Sequence, residues 1–262
     1  MRENTVKSIW AKGGVVVNGW LSIPSSFSAE VMSHQGFDSL VVDMQHGVVD
    51  YQTAVTMLQA ISTTSVIPLA RVPWQDPAII MKTLDAGAYG IIWPMINTRA
   101  QAETLVATCK YAPRGFRSFG PVRASLYGGT DYAVRANDSL IVMPMIETKE
   151  AVQNIDDILS VPGIDAVYVG PADLSLTLGC TPKLDQTEAP VVEALKKIAA
   201  ACKRHNVIAG LHNATSEYAL KMVAEGYRFV TLASDARFLA ARAMEEAAAV
   251  KKTVASGTLP AY

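Results

Sequence analysis

Short apolar runs and amphipathic stretches alternate along this chain from end to end. The runs at 15–23, 39–44, 66–72, 90–95, 140–147, 166–170, 207–211 and 229–233 predict eight strands. Between them, residues 28–34, 51–62, 77–86, 98–111, 148–159, 189–204, 216–225 and 236–251 carry apolar side chains at three- and four-residue spacing and predict helices. The last is rich in Ala and Glu, both good helix formers. The strands are nearly continuous apolar runs, the pattern of parallel strands covered on both faces. Eight strand–helix units in about 250 residues fit a (β/α)8 TIM barrel. A doubly wound open sheet is the competitor. It usually carries a Gly-rich phosphate loop after its first strand, where this chain has Asn18-Gly19-Trp20-Leu21-Ser22. No linker or composition shift divides the chain, so the expectation is one α/β barrel domain over residues 1–262.

Composition narrows the partners. Half of the residues are hydrophobic and 18% are charged, which suits a large buried core. Lys+Arg is 23 against Asp+Glu 24, so there is no global drive toward nucleic acid or anionic membrane. No apolar run approaches the roughly 20 residues of a membrane span, and residues 1–14 lack a secretory pattern. Cys109, Cys180 and Cys202 are widely spaced with no C-x-x-C, which reads as reduced thiols in a cytoplasmic protein.

One connection stands out. Residues 112–138 greatly exceed the usual loop length and contain Arg114, Arg117, Arg123 and Arg135. Two readings stand: a surface excursion or subunit contact, or an active-site loop holding an anionic substrate.

Catalytic groups of such a barrel lie at the C-terminal ends of its strands. Those ends supply Trp20 and Ser22, Asp43 and His46, Arg71, Glu147, the segment Gly170-Pro171-Ala172-Asp173, His212 and Asn213, and Ser234 and Asp235. Asp173 and Asp235 read either as functional groups or as helix N-caps. His46, with Asp43 three residues before it, reads as an acid/base, and His212 as structural. Arg71 follows a buried run and requires an anion at its tip, from protein or substrate.

Glu147 and Asp173 offer two oxygen ligands on adjacent strands. A pair of carboxylates that leaves positions to water and substrate suits Mg²⁺, Mn²⁺ or Co²⁺ better than a closed zinc cage. A 2-keto acid has the oxygens to chelate such an ion, with backbone N–H groups of the 170–173 segment available to its carboxylate. Arg71 would meet charge developing on the keto oxygen, and His46 would move a proton at C3.

These residues stand in motifs that resemble the HpcH/HpaI aldolases, the metal-dependent class II pyruvate aldolases. The likeness spans nearly the whole chain. It is strongest in Val42-Asp43-Met44-Gln45-His46-Gly47, Arg71-Val72-Pro73, Leu84-Asp85-Ala86-Gly87-Ala88, Pro113-Arg114-Gly115-Phe116-Arg117, Ile146-Glu147-Thr148 and Gly170-Pro171-Ala172-Asp173-Leu174-Ser175. The resemblance implies a barrel assembled as a homohexamer, with the last helix exchanged between subunits. It implies that Glu147 and Asp173 hold the metal, Arg71 stabilises the enolate, His46 is the acid/base supported by Asp43, and Trp20 lines the pocket. Asp85, which the pattern alone reads as a solvated helix residue, would reach a neighbouring subunit's site. Two positions depart from the family: Gln45 stands where Glu is common before the histidine, and Met145 where Gln is common before the metal-binding Glu.

The expected activity is reversible aldol cleavage of 4-hydroxy-2-keto acids, with pyruvate or a related 2-keto acid such as hydroxypyruvate as donor and an aldehyde as acceptor. Schiff-base chemistry is disfavoured because no lysine falls within the strands and Lys149 lies just beyond one. The alternatives are an acyl-CoA lyase of the citrate-lyase type, kept open by the arginines of 112–138, and a barrel that binds keto acid without turnover.

Overall fold

The computed structural model describes residues 1–74 and 76–255. Eight parallel strands close into a barrel in chain order, β8 pairing back onto β1. The order begins α1 (Thr5–Ala11), β1 (Val16–Leu21), α2 (Ser26–Ser33), β2 (Ser39–Asp43), α3 (Tyr51–Ile61), β3 (Ile67–Arg71), α4 (Pro77–Asp85) and β4 (Gly90–Trp93). It continues through α5 (Arg99–Cys109), α6 (Val122–Gly128), α7 (Tyr132–Ser139), β5 (Ile141–Ile146), α8 (Lys149–Gln153), α9 (Ile155–Leu159) and β6 (Ala166–Val169). The last elements are α10 (Pro171–Thr177), α11 (Ala189–His205), β7 (Ile208–Asn213), α12 (Ser216–Ala224), β8 (Phe229–Leu232) and α13 (Asp235–Ala255).

All eight expected strands are present. Local chemistry fixes the helix starts. Asp50 and Asp76 cap α3 and α4, with Pro77 opening α4, and Thr98 and Gln101 form a reciprocal capping box on α5. The helix expected over 148–159 divides at Asn154, whose side-chain amide donates to the Asn97 carbonyl at 2.9 Å.

Alternation along the strands organises two cores. Val41, Ile67, Leu69, Ile141, Met143, Met145, Ala166, Tyr168 and Phe229 fill the barrel lumen. Their neighbours Leu40, Val42, Ala70, Val142, Val167 and Val230 pack outward against the helices. Because side chains repeat every two residues, the inward series 41–43, 69–71, 145–147 and 168–170 carries Asp43, Arg71, Glu147 and Gly170 to the C-terminal rim of the lumen. A buried polar layer lies one step below, where Ser39 donates to Asn18 at 2.8 Å and Asn18 donates to Thr231 at 2.9 Å. Helix α1, not expected from the sequence, closes the opposite end. Val6 and Trp10 join the lumen core, and Trp10 Nε1–H donates to the Arg228 carbonyl at 3.0 Å.

The 112–138 connection is not structureless: it contains α6 and all but the last residue of α7. It joins the end of α5 to the start of β5 and therefore lies on the N-terminal face of the barrel, opposite the strand ends. The active-site-loop reading of its four arginines is thus overturned for the chain's own site. Arg117 is buried and bonds Asp85 and Tyr132, Arg123 holds the Ala86 carbonyl, and Arg114 and Arg135 pair with Asp138 and Asp131.

Candidate active site

A cavity of about 440 Å³ opens at the C-terminal rim. Trp20 and Ser22 enter it from β1 and its loop, Asp43 and His46 from β2, Arg71 from β3, and Met145 and Glu147 from β5. Tyr168 and the segment Gly170–Asp173 form another wall, completed by Leu184, His212, Ser234 and Arg237. No lysine is among these lining residues.

Asp43 and Arg71 are direct register partners on β2 and β3, and their side chains meet in a bidentate pair of 2.8 and 2.6 Å. Asp43 also accepts from Trp20 Nε1–H at 3.1 Å and from the Gln45 and His46 backbone N–H groups. Burial pushes its carboxyl up, but the bonds and charge of Arg71, helped by the His46 and Trp20 donors, hold it below the ordinary value. The anion required by Arg71 is therefore a protein carboxylate. Arg71 also lies over the Trp20 ring at 4.8 Å, and its Nη1 has no protein partner among the described residues, leaving it to the cavity.

Glu147 is 2% exposed. One oxygen accepts the Met95 N–H at 2.8 Å. Burial, then the nearby Asp173 charge, push its carboxyl up to about 7 against the pull of the Met95 N–H and Arg71. Gly170 makes this position possible: a Cβ there would collide with Glu147 Oε2. Gly170→Ala is accordingly expected to displace the carboxylate and lower activity about 100-fold, with little change in the unfolding midpoint. Unaltered steady-state rates in that variant would remove Gly170 from the site. Asp173, in the first turn of α10, does not cap that helix, so the N-cap reading does not describe it.

The two strand-end histidines differ. His46 is exposed at the cavity, and its ring has no protein hydrogen bond among the described residues. Asp43 reaches this residue through its backbone, accepting the His46 N–H at 3.2 Å. The His212 ring meets the Tyr168 hydroxyl at 2.9 Å through Nδ1 and the Ala233 carbonyl at 2.8 Å through Nε2. A carbonyl only accepts, so Nε2 carries the proton and Nδ1 accepts from Tyr168. Burial pushes this imidazole down to about 4, consistent with a neutral, structural histidine. Trp20 stacks on Tyr168 and meets the His212 edge, with ring centroids 5.3 and 5.0 Å apart. Among the described non-glycine residues, left-handed φ occurs at Met95, Asn206 and Ala233. Two of these three, Met95 and Ala233, supply backbone bonds to site residues.

Asp85 is not brought into its own chain's cavity. It ends α4 on the far face, half-buried and paired at 2.6 Å with the buried Arg117, so it is not the free solvated residue its pattern suggests. Asp235 is structural: its carboxylate accepts from Ser22 N–H, Ile23 N–H and the Ser22 and Ser28 hydroxyls, fixing the start of α13 to the chain after β1. Met145 lines the cavity, whereas Gln45 does not. Sequence reasoning missed Tyr168, Leu184 and Arg237. The inward parity of β6 was a usable signal for Tyr168 alone.

The profile of the HpcH/HpaI aldolase/citrate lyase family matches residues 19–242, which includes every strand-end group lining the cavity. The chain belongs to this family. Within the HpcH/HpaI family it is similar to a hydroxypyruvate/pyruvate aldolase of Rhizorhabdus wittichii, 43% identical over 242 residues, covering 92% of this chain and 96% of that protein. A 4-hydroxy-2-oxo-heptane-1,7-dioate aldolase of Shigella sonnei is 35% identical over 260 residues, covering 96% and 99%. Among solved structures, a family protein from Burkholderia cenocepacia superposes with a TM-score of 0.89 at 29% identity, covering 95% of this chain and 99% of that one.

HpcH/HpaI enzymes of class II generally depend on a divalent metal, and the residues here fit one. Glu147 and Asp173 face one cavity, the burial of Glu147 and then the Asp173 charge raise the Glu147 carboxyl, and a cation would relieve both. Among the described residues no group of three or more His, Cys, Asp and Glu could hold a metal ion.

Proposed function

We propose that this protein is a class II aldolase that cleaves and forms 4-hydroxy-2-keto acids, with pyruvate or a close relative such as hydroxypyruvate as donor. The observation that carries this reading is the single cavity in which Glu147 and Asp173 stand beside Arg71 and His46. The printed names of the relatives agree with it.

A divalent ion (Mg²⁺, Mn²⁺ or Co²⁺) held by Glu147 and Asp173 would anchor the keto acid and withdraw charge through its keto oxygen. His46 takes a proton from C3, and that electron pair moves between C2 and C3 to form the enolate. Arg71 Nη1 faces the charge that develops on the C2 oxygen. C3 then adds to the aldehyde carbon, and the aldehyde oxygen receives the proton from His46. Cleavage is the same sequence reversed. Asp43 keeps Arg71 and the His46 backbone in place while Trp20 walls the cavity. Pro171 has no N–H and the Leu174 N–H is used by the Gly170 carbonyl, which leaves the Ala172 and Asp173 N–H groups for the donor's carboxylate.

Assembly belongs to the same proposal. Residues 236–252 of α13 are exposed, including Phe238, Leu239, Met244 and Val250. Exchange of this helix within a hexamer would cover these four apolar side chains and bring a neighbour's Asp85 toward the site. No helix among the described residues is long and apolar enough to cross a membrane, and a cytoplasmic location is part of the proposal. The thioester alternative loses its motivating feature, since the arginines of 112–138 lie on the opposite face.

Deuterium exchange at the pyruvate methyl group, followed by proton NMR in D₂O, tests this reading without choosing an aldehyde. Exchange should require added Mg²⁺, Mn²⁺ or Co²⁺ and fall by about 100-fold or more in His46→Ala. Folded protein that exchanges neither pyruvate nor hydroxypyruvate with any of these ions would sink the reading in favour of binding without turnover.

A further inference from the structure

The cavity continues beyond the proposed reaction centre. Ala172, Leu184 and Arg237 line both it and an adjoining depression of about 400 Å³, whose other walls include Lys183 and Asp185. The depression holds two cations and one carboxylate, but the carboxylate is already engaged. Asp185 accepts from the Ala214 N–H at 2.7 Å, the Thr215 N–H at 3.1 Å and the Thr215 hydroxyl at 2.7 Å. These donors at the start of α12 hold its oxygens and spread its charge.

Arg237 is left without a counter-charge. The exposed arginines Arg99, Arg114, Arg135, Arg204 and Arg242 each pair with a carboxylate. The guanidinium of Arg237 has no ion pair or hydrogen bond among the described residues, and only its backbone N–H is used, by the Ser234 hydroxyl at 3.3 Å. Its backbone is nevertheless well fixed, because Asp235 two residues earlier is 4% exposed and is bonded to Ser22, Ile23 and Ser28. A guanidinium on a fixed stem, unpaired and facing a continuous cleft, is suited to receiving an anionic group from a ligand.

We propose that Arg237, assisted by Lys183, determines acceptor specificity by binding an anionic group, carboxylate or phosphate, at the end of the aldehyde remote from the new carbon–carbon bond. This rests on the aldolase reading for the reaction, while the anion site stands on its own geometry.

The test compares wild type with Arg237→Gln and Arg237→Glu, using pyruvate with glyceraldehyde, glyceraldehyde 3-phosphate and succinic semialdehyde. Wild type should favour an anionic acceptor over glyceraldehyde. In Arg237→Gln that ratio of kcat/KM should fall about tenfold or more, mainly through KM, and Arg237→Glu should fall further. A loss confined to glyceraldehyde 3-phosphate and deepened by Lys183→Gln assigns a phosphate site, and a loss confined to the semialdehyde assigns a carboxylate site. Equal ratios in wild type and Arg237→Gln overturn the proposal. Calorimetric titration with glycerol 3-phosphate and with succinate supplies a readout independent of turnover. At least one Kd should rise about tenfold in Arg237→Gln, and unchanged affinity for both overturns the site. If pyruvate exchange fails in wild type but this difference in affinity appears, the aldolase reading falls and the anion site stands.

Discussion

Replacing Glu147 by glutamine is expected to abolish metal-dependent activity and yet make the metal-free protein more stable at alkaline pH. The carboxyl stands near 7 in the folded chain against an ordinary 4.5, chiefly because it is buried and then because Asp173 lies close. A carboxyl raised on folding keeps its proton while the unfolded chain has lost it. Its contribution is therefore fully present below pH 4.5 and is lost as pH rises toward and past 7. The difference amounts to about 3 kcal/mol at most. Denaturant unfolding of chelator-treated protein from pH 5 to 8.5 should show wild type losing stability along this range relative to Glu147→Gln. Adding Mn²⁺ should restore wild type by mass action and leave the variant little changed. Parallel pH profiles, or equal stabilisation of both proteins by the ion, would show that Glu147 neither bears this burden nor holds the metal.

Arg71→Ala is expected to damage folding and chemistry together. Its partner Asp43 is 3% exposed at the side chain and gives up two bonds at once. Removing one member of a buried pair costs about 3–5 kcal/mol, since the remaining charge is left without compensation. The pH dependence should also move. In wild type the depressed Asp43 carboxyl contributes stability above pH 3.8 that is lost as pH falls through its folded value. Without Arg71, burial dominates, the carboxyl rises, and acid unfolding should begin at a higher pH. Activity should fall by about 100- to 1000-fold through loss of the group facing the keto oxygen. Adding Asp43→Ala should recover much of the stability and none of the activity. Near-normal turnover in folded Arg71→Ala would take the arginine out of the reaction.

Much of this was legible in the chain. The eight strands were visible because each is an apolar run, and parity along those runs then aims Asp43, Arg71 and Glu147 at one rim. Short helices were not. Helix α1 is short, with Val6, Ile9, Trp10 and Ala11 beside Thr5, Lys7 and Ser8, and α10 hides behind a Gly-Pro start that reads as a turn. Arg237 was invisible for a different reason: it lies in the first turn of a helix whose pattern describes packing, whereas its role depends on which carboxylates nearby are already occupied. The fate of Asp85 illustrates the same limit, because helical periodicity cannot show that Arg117, 32 residues later, folds back to meet it.

The alternation that packs the lumen has a consequence for divergence within the family. Asp43, Arg71 and Glu147 continue the inward rows that hold Val41, Leu69 and Met145, so the donor half of the site can drift only as far as the barrel's own packing permits. Leu184, on the connection between α10 and α11, and Arg237, in the first turn of α13, stand outside those rows. New acceptors can be recruited there by single exchanges, without disturbing the strand-borne groups that activate the keto acid.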